Sequence, residues 1–343
     1  MVKKLLAVLL AAMMLCMFMP MMVSAAPVDI TADFTDANFR AEVYKLIGKT
    51  APEPIYDTDV AGVEEIYVPY KNITSLAGLG HFTSLKDLKC HSNQIKSLPA
   101  LSSSLTLLWC DSNQLTSLPA LPSSLEWLDC GYNQLTSLPA LPSNLENLAC
   151  HRNQITILPT LPSSLESLSC DNNQLTSLPT LPSGLTQIFC RNNKLSSLPT
   201  LPSSLIELYC RNNKLTSLPV LPSSLRYLWC EENQLTSLPA LPSSLEFLWC
   251  NNNQLTSLPK LPATLEVLNC YDNQLTTIDV TGLSLYQLRC YHNNLPDQSA
   301  VIGFTGTWDG DQFVFGPQNG TSFFAKLWAF ILKWFLFGWL WNK

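Results

Sequence analysis

One phrase of twenty residues recurs through most of this chain and limits what it can fold into. Leu121 to Ala140 reads LPSSLEWLDCGYNQLTSLPA, and close copies precede and follow it without a gap. Asparagine falls at every twentieth position from Asn93 to Asn293, and cysteine three residues before each, from Cys90 to Cys290. A fixed period of this length means stacked units, each unable to bury its own apolar face alone.

The unit LxxLxCxxNxLxxLPxLPxx is the leucine-rich-repeat pattern with Cys in place of the third Leu. A less regular first copy with two extra residues uses Val63, Ile66, Val68, Ile73, Leu76, Leu79 and Phe82, giving twelve repeats. The expected fold is a mainly β repeat solenoid, right-handed, with a parallel sheet on its concave side. LxxLxC holds a short strand, with Leu88 and Cys90 inward and Asp87, Lys89 and His91 outward, because strand side chains alternate. The Asn side-chain amide can satisfy backbone groups of the turn that follows. Two prolines three apart forbid a helix in LPxLP, so the convex side should be extended and polyproline-like.

The ends follow a different composition. Residues 1–26 fit a signal peptide: Lys3 and Lys4, an apolar run from Leu5 to Met22, and Val23-Ser24-Ala25 before the cut. Leu15 before Cys16 argues against a lipoprotein. Residues 27–62 are expected to cap the stack with a short helix carrying Phe34, Phe39, Val43, Leu46 and Ile47 on one face, with Asp36 as N-cap. The repeats occupy 63–300. Residues 301–321 have the composition of a Gly-rich linker, and 322–343 form a hydrophobic tail with Trp328, Trp334, Trp339 and Trp341. Three roles stay open for the tail: lying in a membrane interface, spanning the bilayer, or capping the solenoid. Lys333 in mid-segment weighs against a simple span. The expected location is outside the cell, with retention at the surface by the tail.

The cap phrase FTDANFRAE, the longer first repeat and the LxCxxNxLTSL units resemble secreted, internalin-like proteins of Gram-positive bacteria. The LPxLPxxLxxL phrase resembles the short repeats of bacterial effector proteins, some of which carry a ubiquitin-ligase domain. The resemblance runs from about Ile30 to Leu295 and implies a solenoid scaffold without naming a ligand. No ligase domain follows the repeats, so that activity is not carried over. LPATL at Leu261–Leu265 has Leu where a sortase signal needs Gly.

Twelve cysteines in an exported chain would ordinarily suggest disulfides. Here the repeat cysteines share one inward position, so their Cβ vectors run parallel, a poor disulfide geometry. They are expected to be core residues. Only 13% of residues are charged and the net charge is −6, with no basic stripe, so nucleic acid is not an expected partner. DTDVAGVEE from Asp57 fails as a calcium loop because Ala61 and Val68 occupy ligand positions. His91, His151 and His292 lie repeats apart, and no metal or cofactor is expected.

The candidate site is on the outward face of the sheet. Phe189, Tyr209, Trp229 and Trp249 occupy the position before Cys in successive repeats, Tyr227 and Phe247 lie two residues earlier, and Tyr271 falls just after Cys. Arg191 and Arg211 border the row. Contiguous exposed aromatics mark binding surfaces, and Tyr, Trp and Arg dominate hot spots. Ser, Ala and Asp fill the same column in earlier repeats, so strand propensity alone does not set it. A secondary site holds Trp109 and Trp127 with Asp111 and Asp129. A paired-carboxylate glycosidase reading is disfavoured there, since nothing in the sequence shields the acids. The expected function is recognition of a protein or glycan, with a ligand-free spacer as the alternative and an enzyme not expected.

Overall fold

The computed structural model describes residues 26–319. Residues 1–25, nearly all of the expected signal peptide, and the tail 322–343 lie outside the described residues.

Among the described residues, thirteen strands form one sheet in chain order, and every pairing is parallel. Twelve of them come from the twelve repeats. Register never slips: Tyr227, Leu228 and Trp229 face Phe247, Leu248 and Trp249, and the same twenty-residue offset holds from Asp87 to Arg289. Each of the twelve repeat strands has three residues with the middle one buried, as in Glu207–Tyr209 and Phe247–Trp249. A side chain pointing the wrong way would place a polar group in a continuous column of Leu, which is why the register is fixed.

The cysteines form the second inward column. All eleven from Cys90 to Cys290 are free and buried. Burial pushes the Cys90 and Cys150 thiols up to about 12, so these groups pack as small apolar side chains and not as nucleophiles.

The asparagine column holds the turns. Asn153 donates to the carbonyls of Cys130 (3.0 Å), Cys150 (3.1 Å) and His151 (3.3 Å), while its Oδ1 accepts the Leu135 N–H (2.9 Å). Each such amide therefore ties its own coil to the one before. One residue before each Asn the backbone turns left-handed, at φ 54° for Asn192 and 55° for Glu232. Asn tolerates this region and β-branched residues do not. Asn192 also bridges Asn172 (3.1 Å) and Asn212 (2.7 Å) by side-chain amides. Asn192→Val should therefore cost about 1–2 kcal/mol in thermal unfolding, and Asn192→Gly clearly less; equal costs for both would contradict this account.

The LPxLP arc forms neither helix nor sheet. Hydroxyls hold it: Ser164 Oγ donates to the carbonyls of Ser143 (2.8 Å) and Leu145 (2.7 Å), and Ser204 and Ser224 repeat the arrangement.

The helix Ala37–Leu46 closes the N-terminal end. Asp36 accepts the Phe39 N–H (2.9 Å) and reaches across to Thr74 (2.8 Å), so one carboxylate caps the helix and fastens it to the first coil. Phe34, Phe39 and Val43 are buried as the spacing predicts, but Leu46 is 45% exposed and Tyr44 takes its place. The Tyr44 hydroxyl finds the Glu53 carbonyl at 2.8 Å, which lets its ring go inside. In the loop that fails as a calcium site, Asp57–Val60 is a short helix and Asp59 pairs with Lys49.

At the other end, the stretch with linker composition carries structure. Val301–Ile302 pairs with Ile278–Asp279, and Phe313–Val314 supplies the thirteenth strand beside Gln287–Arg289. Phe304, Trp308, Phe313 and Phe315 cluster against the last coil. An open solenoid end would leave Leu288 and Cys290 wet, and this cluster covers them. Glycines and aspartates at the turns mask two short strands from a composition reading.

Candidate binding surface

Three outward columns run along the sheet: the residues three before Cys, one before it and one after it. Neighbouring coils put like positions side by side, so a run of aromatics becomes a stack. Phe189 and Tyr209 stack with ring centroids 4.8 Å apart and Trp229 and Trp249 stack at 4.5 Å with planes within 7°, whereas Tyr209 meets Trp229 edge to face, at 4.5 Å and 64°. Tyr227 stacks on Phe247 at 5.1 Å in the neighbouring column. Tyr271 stacks on Tyr291 at 4.4 Å in the third column and has no ring contact with the first row.

The rings are half-buried, not freely exposed as their outward position suggests. In-register parallel strands hold like side chains one strand spacing apart, the distance at which flat rings cover each other. Near-parallel rings at 4.5 Å must oppose their faces, so Trp229 and Trp249 each cover one face of the other.

Arg191 and Arg211 lie beside the ladder but are already engaged. Arg191 forks onto Asp171 (3.0 and 3.3 Å) and lies over the Tyr209 ring at 5.7 Å. Arg211 meets Glu232 at 3.0 Å and Glu231 at 3.8 Å. A third arginine, Arg226, forks onto Glu246 at 2.8 Å and lies 5.6 Å over Tyr227. The arginines thus stiffen the patch, and their donors are spent on internal carboxylates.

Glu231, between Arg211 and Asn251 in the column after Cys, is only 2% exposed. Burial raises its carboxyl to about 7, with Arg211 opposing the rise. Nothing in the repeat phrase signals this, because the same position varies through His, Asp, Gly, Arg, Asn and Tyr.

At the secondary site the structure corrects the unshielded reading. Trp109 (37% exposed) and Trp127 (45%) are outward, but Trp109 stacks on His91 at 4.4 Å and makes no ring contact with Trp127. Burial raises the Asp129 carboxyl, and nearby Asp111 adds to the rise. A Cβ at Gly131 would lie 2.5 Å from the His151 ring, so the imidazole occupies space that the glycine leaves open. His91 and His151 both act on Asp129, although their coils are three apart. Asp129 accepts the Gly131 N–H at 3.0 Å.

The family profile described as Leucine Rich repeats (2 copies) matches residues 203–243, 223–263 and 243–283. YopM from Yersinia pestis, titled a leucine-rich effector protein, is 34% identical over 69% of this chain and 78% of its own, with a TM-score of 0.54. YopM from Yersinia enterocolitica WA-314 is 32% identical over 69% of this chain, with a TM-score of 0.53. The functional domain of InlJ from Listeria monocytogenes, described as including a cysteine ladder, is 29% identical over 86% of this chain, with a TM-score of 0.64. The chain spans 60% of that Yersinia enterocolitica protein and 62% of the InlJ domain. A comparison with curated protein sequences finds no match. Solenoids of this kind generally serve as protein-binding scaffolds and not as enzymes. With the repeat pattern, the in-register sheet and these likenesses together, the chain belongs to the leucine-rich-repeat family.

Proposed function

We propose that this chain is an exported binding module that docks a protein partner along the ladder Phe189–Tyr209–Trp229–Trp249, widened by Tyr227 and Phe247. One observation carries the reading: the rings pack on one another, as two stacked pairs joined by an edge-to-face contact. A sugar ring docks on a free aromatic face, and this ladder offers few. A protein surface instead packs well against a rigid strip of mutually packed aromatics. The sheet holds every Cα beneath it, so little ordering is left to lose on binding. The cluster is also local. Asn147, Ala149, Ser167 and Ser169 occupy the same columns in the two coils before Phe189, a contrast that a plain spacer does not need.

Export by residues 1–26 and retention by the tail 322–343 belong to the same proposal. The secondary surface at Trp109 and Trp127 is a smaller candidate contact. The test exposes immobilised full chain, beside its Trp229→Ser/Trp249→Ser variant, to surface proteins and to a glycan array. A protein held by the parent and lost by the variant is the expected result. Glycan binding lost in the same variant would replace protein by sugar, and no binding at all would favour the spacer.

A further inference from the structure

Nine buried side-chain N and O atoms lack a hydrogen-bond partner among the described residues, and six of them belong to five neighbouring side chains: Trp229 Nε1, Glu231 Oε1 and Oε2, Trp249 Nε1, Asn251 Oδ1 and Asn269 Oδ1. Orphaned buried polar atoms are rare and each costs on the order of 1–3 kcal/mol. Concentrated on three adjacent coils, at the end of the ladder, they mark a place suited to a further polar group. Glu231, Asn251 and Asn269 are each at most 3% exposed.

The balance of the set identifies the missing group. Four of the six are acceptors and only two, the indole N–H groups, are donors. The carboxylate is also poorly compensated, because Arg211 stands 3.8 Å from Glu231 while spending its nearer contact, 3.0 Å, on Glu232. Trp249 is the last ring of its column, and its register neighbour is Asn269. It therefore has a ring on one side only and can swing aside at the cost of a single stack. A guanidinium supplies donors and no acceptor, lies flat against an indole face, and forks onto a carboxylate. A neutral hydroxylated ligand would bring as many acceptors as donors to a site that already has an excess of acceptors.

We propose that Glu231, Asn251 and Asn269, beside Trp249 at the end of the ladder, receive an arginine side chain of the protein partner. This rests on the ladder being the docking surface. Of the other charged groups acting on Glu231, Arg211 and Arg191 favour its ionised form and Glu232 opposes it. Since the guanidinium needs the carboxylate, binding should strengthen as pH rises through the titration of Glu231, which burial places at about 7.

The test titrates full chain with N-acetyl-arginine amide and with the isosteric, uncharged N-acetyl-citrulline amide, read by tryptophan fluorescence and calorimetry. Arginine should give a saturable response at about pH 8 that citrulline does not. It should weaken at least about tenfold at about pH 5.5 and in Glu231→Gln. Melting curves confirm that the variant is folded. Equal responses to arginine and citrulline, or undiminished binding in Glu231→Gln, would overturn the proposal and leave the orphaned atoms to ordered water. The two readings fail separately. A partner lost by the Trp229→Ser/Trp249→Ser variant yet indifferent to Glu231→Gln refutes the arginine site and keeps the ladder. A response to arginine amide in a chain that captures no partner does the reverse.

Discussion

Asn273→Leu is expected to destabilise the solenoid by roughly 3–5 kcal/mol, although it replaces a polar residue by an apolar one of similar size in a leucine core. The Asn273 amide donates to the carbonyls of Cys250 (3.0 Å), Cys270 (3.1 Å) and Tyr271 (3.2 Å), and its Oδ1 accepts the Leu255 N–H (3.0 Å). Leucine leaves these backbone groups buried without partners, across two coils at once. Each orphan costs on the order of 1–3 kcal/mol, and partial hydration at the edge trims the sum. Urea unfolding of parent and variant measures the difference. A variant within about 1 kcal/mol of the parent would mean that the asparagine column orders the turns without supporting them.

Glu231→Gln should stabilise the protein above neutrality and do little in acid. The folded carboxyl keeps its proton up to about 7, whereas the ordinary value is 4.5. A raised folded value favours the folded state while the group is protonated. That stabilisation is complete below the unfolded value, is lost as pH climbs from there to about 7, and then levels off. The full swing is about 3 kcal/mol. Glutamine does not titrate, so the melting temperature of the variant should approach that of the parent at about pH 5 and exceed it at about pH 8. Other groups titrate in both proteins and cancel in the comparison. A variant that melts lower at about pH 8 would show that Arg211 more than offsets the burial of this carboxylate.

Much of the fold was legible because the repeat is exact in the positions that matter. Leu228 and Cys230 go inward at a spacing that only stacked strands satisfy, and Asn233 turns the chain wherever it recurs. The left-handed residue before each Asn escaped notice because its identity varies, from Ser92 and Tyr132 to Glu232 and His292, while its backbone does not. The cap at 301–319 was hidden by turn residues around strands only two residues long. At the candidate surface, periodicity brought Phe189, Tyr209, Trp229 and Trp249 into one row but could not show that the rings pack on one another, as two stacked pairs joined edge to face. Nor could it show that Arg191 and Arg211 face acids in neighbouring coils, or that the His151 ring sits where a Cβ at position 131 would be. Those features depend on which residue the next coil carries, and a consensus phrase averages that out.

The central claim is that the ladder exists to bind and not to hold the solenoid together. Its most direct test is partner affinity beside melting temperature for Trp229→Ala/Trp249→Ala, with Leu228→Ala for comparison. Leu228 is wholly buried, so its truncation should cost roughly 2–5 kcal/mol and leave the affinity of the folded fraction unchanged. The tryptophan pair should lose affinity by about a hundredfold or more and melt only a few degrees lower, since half-buried rings leave no closed cavity behind. A tryptophan variant that melts as low as Leu228→Ala while its folded fraction binds like the parent would make the ladder a stabilising seam, and the binding surface would have to lie elsewhere.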